Sequence, residues 1–281
     1  MITFLHTFRP KAILISFGSV DIYWYGLLIV AGILTAIAIT LKLAKFYNIK
    51  KDAVMDLAFW LATSGIIGAR IYHVLLEWKY YIVNPIDIFK IWQGGLAIHG
   101  GIIAGIIVIW LYCGKHKLNG WLIASLIAPG LALAQAIGRW GNYFNQEIIG
   151  RPTNLPWGIP INLANRPIEY INNIYFHPAF LYESIGDLII FLILISAHIW
   201  IIKKSAASRK PRVMRYELCV MSYVTLYSLL RFATEFIRID PTPIIMGLRF
   251  PQIISLLTIL ASMIFLAAKL KPNKAKNKVL E

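Results

Sequence analysis

The sequence predicts an all-α membrane protein with seven transmembrane helices, and three observations lead to this fold class. Apolar residues make up 58% of the 281 residues and charged residues only 15%, whereas soluble domains carry about 45–50% apolar and about 25% charged residues. The mean hydropathy is +0.66. Seven apolar stretches approach about 20 residues, the length that crosses the hydrocarbon core of a bilayer. This composition excludes a soluble enzyme with a membrane tail, a secreted disulfide-rich protein and a disordered basic protein.

The predicted helices follow from the apolar stretches in chain order. The stretches have too few alternating positions for barrel strands. The first twenty residues are apolar but lack the basic start, apolar block and small-residue cleavage site of a secretory signal, so the first helix is expected to be retained. The predicted spans are 21–44, 54–76, 95–113, 120–137, 180–202, 216–233 and 245–268.

Lysine and arginine are distributed unequally between the loops, which predicts the orientation. The formal net charge is +15. The loops after helices one, three and five and the C-terminal tail carry sixteen of these residues, and the opposite side carries eight. Because cytoplasmic loops are the more positive ones, we expect an N-terminus outside the cell membrane and a cytoplasmic C-terminus. Basic charge confined to short loops also argues against a nucleic-acid partner.

The long segment between helices four and five, 138–179, is expected to face outward. It holds five of the 13 prolines and therefore cannot form one long helix. Its seven aromatic residues predict an ordered loop or head at the lipid interface, where aromatic rings are enriched. The chain is thus predicted to be a single integral membrane domain, 1–281, that contains this loop and ends in a basic cytoplasmic tail, 269–281.

Polar residues within the predicted spans gather at one level, the outer half of the membrane. A charged group inside a bilayer is costly and is by default a functional candidate. Six predicted helices carry such groups toward their outer ends, whereas the inner half is nearly bare of them. The residues are Tyr25, Arg70, His73, His99, Arg139, His177, Glu183, Tyr227, Arg231 and Glu235.

One predicted helix ends in a stack of polar residues. Tyr227, Arg231, Glu235 and Arg238 are spaced by four, four and three residues, which places them on one helical face. Two interpretations stay open. Arg231 and Glu235 form an ion pair that closes the helix end, or Glu235 holds the Arg231 guanidinium ready to bind a phosphate bidentately.

His99 and Arg70 each have two interpretations as well. His99 lies between glycines in 94–101, where it is either a satisfied structural group or a neutral base, since nearby positive charge disfavours the protonated imidazole. Arg70 either binds phosphate or pairs with Glu77 or Glu183. The cysteines, Cys113 and Cys219, are expected near the cytoplasmic side, so neither a cysteine nucleophile nor a zinc site is predicted.

The densest polar segment carries a family resemblance. Written Gly138-Arg139-x-Gly141-Asn142-x-x-Asn145-x-Glu147-x-x-Gly150, it resembles the signature of the bacterial prolipoprotein diacylglyceryl transferase family. The resemblance covers about 20–250, with Tyr143 where the signature usually has Phe and His73 where Tyr is expected. The other matching segments, in the expected order, are 24–26, 68–70, 99–101, 177–178, 181–183, 231–232 and Glu235.

The resemblance implies an inner-membrane enzyme of seven helices with its active site toward the periplasm. Such an enzyme moves diacylglycerol from phosphatidylglycerol to the lipobox cysteine of a prolipoprotein signal peptide, forms a thioether and releases glycerol phosphate. No metal or other cofactor is implied. The positions that the family marks as essential are Tyr25, His99, Arg139, Asn142, Gly150 and Arg231.

The roles of the candidate residues suit that chemistry. Arg139 and Arg231 are predicted to contact the phosphate and stabilise its developing charge, and His99 is the candidate general base. An arginine-rich electrostatic field that deprotonates the thiol directly is the alternative to that base. The remaining candidate substrate contacts are Tyr25 and Gly150 at the lipid head group, Asn142, Asn145 and Glu147 around the glycerol and Arg139, and Arg70, Tyr227 and Glu235.

Two other function classes remain for comparison. A transporter or channel for an anionic solute would place polar residues through both leaflets and often shows an internal repeat, and neither feature is found in the sequence. An intramembrane protease needs a Ser–His or paired-Asp arrangement, and no Gly-x-Ser-x-Gly motif is present.

Overall fold

Long helices dominate the computed structural model, which describes residues 2–18, 20–207 and 215–270. Within these ranges six helices are long and apolar enough to cross a membrane, as a membrane protein requires. The predicted stretch 216–233 also forms a helix, Tyr216–Thr234, but it is not among the six. Its ionisable and hydroxyl side chains, including Glu217 and Arg231, lower its hydropathy.

The described elements follow one another with short hairpins between some of the helices. The N-terminal elements are α1 (Ile2–Thr7), β1 (Ile13–Phe17), β2 (Val20–Tyr23), α2 (Trp24–Phe46), α3 (Lys51–Leu76), α4 (Trp78–Val83) and α5 (Ile98–Lys115). The C-terminal elements are α6 (Gly120–Asn145), β3 (Ile159–Pro160), β4 (Tyr175–Phe176), α7 (Ala179–Ala207), α8 (Tyr216–Thr234), β5 (Ile244–Ile245), β6 (Leu248–Arg249) and α9 (Phe250–Leu270). Each strand pair is antiparallel.

Several predicted boundaries differ from those of the observed helices by three to eight residues. Helix α6 continues to Asn145 instead of ending at 137, so Arg139 and Asn142 lie on a helix and not in a loop. Helix α9 begins at Phe250 instead of 245, because Met246 and Gly247 adopt positive φ and turn the chain into the β5–β6 hairpin. Helix α5 begins at Ile98 instead of 95, after two glycines at positive φ. Most of the predicted tail 269–281, from 271 onward, lies outside the described residues.

The chain divides into two compact units. One consists of Met1–Ala38 together with Ala128–Glu281, and the other of Ile39–Ile127. We call them the first and the second unit. In the first unit α2 and α6 approach closely through small residues, since a Cβ on Gly130 would lie 2.8 Å from the Ala36 carbonyl oxygen. Hydroxyl bonds join other helices, with Ser184 Oγ donating to the Ala136 carbonyl at 2.8 Å and Thr225 meeting Ser262 at 2.7 Å.

The segment between α6 and α7 packs around a small apolar core of its own. Phe176, Ile161 and Phe180 are almost completely buried there together with Leu5 of α1. His6 stacks on the Tyr175 ring with centroids 4.1 Å apart. The prolines and aromatic residues of this segment therefore form an ordered, packed structure, and its exposure to the periplasm stays a prediction.

In the second unit α3 packs on α5 through glycines. A Cβ on Gly68 would lie 2.5 Å from Ala104 Cβ, and one on Gly100 would collide with the Gly68 carbonyl oxygen. The Ala97 amide donates to the Ala69 carbonyl at 3.0 Å and fastens the start of α5 to α3. These contacts explain the glycines around His99 as packing residues.

Candidate active site

A buried carboxylate, Glu183, lies at the centre of the largest ion-pair cluster in the first unit. It is 2% exposed, near the start of α7. Its Oε2 lies 2.8 Å from Arg139 Nε, and its Oε1 lies 3.2 Å from Arg231 Nη1 and 3.0 Å from Arg238 Nη1. One carboxylate thus holds guanidinium groups from α6, from α8 and from the turn after α8.

A second buried carboxylate, Glu235, continues the cluster at the end of α8. It is fully buried, and its Oε2 lies 2.9 Å from Arg231 Nη2. The ion pair considered from the sequence is therefore present. Because Arg231 also contacts Glu183, the pair positions the guanidinium from two sides, and the anion-site interpretation stays open beside it.

Arg249 fastens the start of α9 to this cluster. Its Nε donates to Glu235 Oε1 at 2.8 Å, its Nη1 to the Arg238 carbonyl at 2.6 Å and its Nη2 to the Asp240 carbonyl at 2.7 Å. The sequence interpretation assigned no role to Arg249 or Asp240, and named Arg238 only as part of a helical stack. Two of the three bonds of Arg249 go to backbone carbonyls, which leave no trace in a residue pattern.

Asp240 carries a negative charge in this cluster. Burial by itself raises the pKa of the Asp240 carboxyl, but the hydrogen bond from Arg238 and the charges of Arg238, Arg249 and Arg231 outweigh it and lower the pKa below its usual value. The bond from Arg238 Nε to Asp240 Oδ1 is 2.8 Å long. Asp240 therefore stays ionised at neutral pH and neutralises part of the arginine charge.

The ion pairs leave positive charge unmatched. Four arginines, at 139, 231, 238 and 249, meet three carboxylates, at 183, 235 and 240. Arg139 makes a single ion pair through Nε, and its two Nη groups have no partner among the described residues, while 19% of its side chain is exposed. The Nε contact is an ion pair without hydrogen-bond geometry. A guanidinium held on one edge by a buried charge and open on the other is suited to bind a phosphate.

Asp187, one turn after Glu183, adds no ion pair to the cluster. It is fully buried, and neither of its oxygens has a hydrogen-bond partner among the described residues. A buried carboxylate without donors would be costly to ionise. The nearby hydroxyl of Tyr223 donates instead to Gln135 Oε1 at 2.8 Å.

The end of α6 presents the amides of the signature segment. Asn142 Nδ2 donates to Glu147 Oε1 at 2.8 Å, and Asn145 Nδ2 approaches the same oxygen at 3.5 Å. Tyr25 packs on the bare face of Gly141, where a Cβ would lie 2.5 Å from its ring, and lies within electrostatic range of Glu147 and Arg139. These predicted site residues therefore come together with Arg139 in the first unit.

Gly150 lies where three chain segments meet. Its amide donates to the His177 carbonyl at 3.0 Å, and it forms a β-bridge with Arg238. A Cβ at this position would lie 2.6 Å from His177 Cβ and 2.8 Å from Ile237 Cγ2. Gly150 therefore places Arg238 by close backbone approach.

We expect Gly150→Ala to lower both stability and activity. The added Cβ must separate residues 237–238 from 177, and we expect a cost of about 1–3 kcal/mol for overpacking a fitted site. The measurement is thermal unfolding in detergent together with turnover. Gly114→Ala is the control, because a Cβ at Gly114 meets nothing within 4 Å. Equal melting temperatures for the two variants would contradict the prediction.

The remaining candidates, Tyr227, His99 and His73, each lie beside an aromatic ring. In the first unit, Tyr227 lies in an apolar cluster of α7 and α8 and stacks on Tyr223 at 6.1 Å. In the second unit, His99 is exposed in the first turn of α5, has no hydrogen bond to the described residues and lies 5.9 Å from the Tyr72 ring. His73 lies against Gly95 and meets the Tyr81 ring edge-on at 6.0 Å.

Arg70 is largely occupied by its own unit. It is 7% exposed. Its Nε donates to the Ile88 carbonyl at 2.8 Å, its Nη1 to the carbonyls of Gly94 and Gly95, and its Nη2 to the Asp87 carbonyl. The pair with Glu77 that the sequence suggested is not formed among the described residues. Arg70 fixes the segment before α5, and its contact with substrate stays a prediction.

Comparison with known proteins gives one family and several relatives of nearly full length. The model of the family described as prolipoprotein diacylglyceryl transferase matches residues 12–268. A protein of Nostoc sp. named phosphatidylglycerol–prolipoprotein diacylglyceryl transferase is 42% identical over 275 residues, which are 96% of this chain and 94% of the relative. Proteins of the same name from Synechococcus elongatus and Finegoldia magna are each 40% identical over 89% of this chain and cover 84% and 92% of the relatives.

Proposed function

The chain belongs to the prolipoprotein diacylglyceryl transferase family, and we propose that it transfers the diacylglyceryl group of phosphatidylglycerol to the lipobox cysteine of prolipoproteins. The single observation that carries this assignment to named residues is the Arg139–Glu183–Arg231 cluster. It combines a buried anchoring carboxylate with an arginine whose Nη groups are open. The relatives named for this reaction support the same function.

The reaction needs two kinds of group from the protein. The cysteine sulfur attacks the carbon of the diacylglyceryl group that bears the phosphate. A C–S bond forms at this carbon, and its C–O bond to phosphate breaks, so that glycerol phosphate leaves with the electron pair. The departing phosphate needs positive charge that is already in place, because donors that are fixed in advance need no reorganisation. We assign this role to Arg139 and Arg231, with Tyr25, Asn142, Asn145 and Glu147 around the glycerol.

The thiol proton needs an acceptor, and we assign it to His99 on the sequence resemblance and its exposed imidazole. We expect His99→Gln to lower turnover by roughly 10²- to 10⁴-fold, the range of general-base catalysis, while phosphatidylglycerol binding stays measurable. His116→Gln is the matched control, since it changes an exposed histidine at the opposite end of α5. Full activity of His99→Gln would remove His99 as the base and favour deprotonation by the arginine field.

The setting of the reaction is also part of the proposal. The chain is placed in a bacterial inner membrane as a single domain with seven crossing helices, α8 among them, and with the arginine cluster toward the periplasm. The surplus of lysine and arginine in the loops assigned to the cytoplasm supports this orientation. Accessibility of single engineered cysteines in the segment 162–172 and in the loop after α7 to an impermeant thiol reagent in intact cells tests it.

A reconstituted reaction tests the function directly. The purified full chain in detergent is mixed with phosphatidylglycerol and a synthetic lipobox peptide, and glycerol phosphate release is followed together with peptide mass. We expect equal amounts of both products, and neither product with a peptide whose cysteine is serine. Folded protein that binds phosphatidylglycerol but forms neither product would contradict the proposal and favour transport of an anionic solute.

A further inference from the structure

A groove of about 340 Å³ lies in the first unit, beside the signature segment and lined by residues that the ion-pair cluster does not use. Its walls come from residues 10–13 at the start of β1, from the end of α6 and from the turn that follows β3. The lining residues used below are Lys11, Ile13, Phe144, Gln146, Asn162 and Asn165.

Gln146 joins two sides of the groove by hydrogen bonds. It follows α6 with φ of +52°, a conformation that a residue with a side chain adopts at a cost. Its Oε1 accepts the Asn162 backbone amide at 2.8 Å and Asn165 Nδ2 at 3.3 Å, which fastens the turn at 162–165 to the helix end. Gln146 is 5% exposed, and its Nε2 is buried without a hydrogen-bond partner among the described residues.

The lining combines two chemistries. Ile13 and Phe144 provide apolar surface, whereas Asn162 and Asn165 provide side-chain amides. The Asn162 side chain is exposed and makes no hydrogen bond to the described residues. A side-chain amide offers a donor and an acceptor, as a peptide group does, and apolar walls suit the side chains of an extended apolar peptide.

A polyol phosphate would fit this groove less well. Among the described residues that line it, Lys11 has the only charged side chain, and that residue is exposed. The apolar wall would have no contact with a glycerol phosphate. In addition, the open arginine edge that suits a phosphate belongs to Arg139 in the ion-pair cluster.

We propose that this groove binds the extended peptide segment that flanks the lipobox cysteine of the prolipoprotein, with the amides of Asn162 and Asn165 on its backbone. This inference rests on the proposed function, because it names the subsite for one of the two substrates.

Kinetics with each substrate varied separately test the inference. We expect Asn162→Ala to raise the KM for the synthetic lipobox peptide by roughly 3- to 10-fold, the loss of one or two neutral hydrogen bonds, without changing the KM for phosphatidylglycerol or the kcat at saturating peptide. Asn172→Ala is the matched control, because it changes an exposed asparagine of the same segment outside the groove. We expect it to behave as the unchanged protein does.

Crosslinking provides a readout that does not depend on turnover. A lipobox peptide with serine in place of cysteine and a benzophenone beside it is irradiated with the full chain, and we expect crosslinks in residues 10–13 or 162–165. An unchanged peptide KM in Asn162→Ala, a changed phosphatidylglycerol KM, or crosslinks confined to other segments would each overturn the inference. Because the unchanged protein would still transfer diacylglycerol in these cases, they differ from a failure of the proposed function, in which it forms no product.

Discussion

Glu183→Gln is expected to reduce diacylglyceryl transfer by about 10²- to 10³-fold, the effect of losing a group that organises transition-state charge. Glutamine keeps the shape of the side chain but removes the charge that Arg139, Arg231 and Arg238 share. Breaking a buried ion pair typically costs about 3–5 kcal/mol, so we also expect a lower melting temperature. The measurement is turnover with phosphatidylglycerol and a lipobox peptide, alongside thermal unfolding in detergent.

The control for Glu183→Gln is Glu169→Gln, which removes an exposed carboxylate from the segment between α6 and α7. We expect that variant to keep the melting temperature and activity of the unchanged protein. Glu183→Asp separates charge from geometry, because it retains the negative charge with a shorter side chain, and it should recover part of the stability. Turnover of Glu183→Gln within threefold of the unchanged protein would disprove the positioning role.

Arg139→Lys is expected to lower kcat by about 10²-fold or more, the range found when one transition-state donor is removed, with little loss of stability. Lysine keeps the positive charge, but it cannot contact Glu183 on one edge and a phosphate on the other with a planar fork. Arg139 makes a single ion pair to the described residues, so the fold depends on it less than it depends on Glu183. Turnover, phosphatidylglycerol binding and melting temperature are measured together.

Arg151→Lys is the matched control for that substitution. Arg151 is exposed in the same region, and its side chain makes no ion pair or hydrogen bond to the described residues, so we expect unchanged kinetics. If Arg139→Lys retained more than half of the turnover, a point charge would be sufficient and the bidentate role would be wrong. A large loss of melting temperature would instead assign Arg139 to the scaffold.

Much of the fold could be predicted because long apolar runs have few alternatives to helices in a membrane. The boundaries failed where local turn chemistry decides, as at Met246 and Gly247, whose positive φ starts a hairpin inside a predicted span. The predicted end of α6, at 137 instead of Asn145, was wrong for a related reason. Polar residues near a helix end were interpreted as a loop, although a helix can carry them.

The sequence predicted many residues of the candidate site but few of the contacts between their side chains. The pair of Arg231 and Glu235 follows from a spacing of four on one helix. The central role of Glu183 does not, because its partners lie 44 to 55 residues away in the chain. Arg70 shows the same limit, since its acceptors are backbone carbonyls, which every residue carries.

The position of Arg249 has a consequence for biosynthesis. Glu235 forms one of its ion pairs with Arg249, the last residue of β6, directly before the last described helix. Glu235 is also the ion-pair partner of Arg231. During translation from the N-terminus, α6, α7 and α8 are therefore made before Arg249, another arginine that pairs with Glu235. The site becomes complete only when residue 249 has emerged from the ribosome, and a nascent chain that stops before 249 holds Glu235 without that partner.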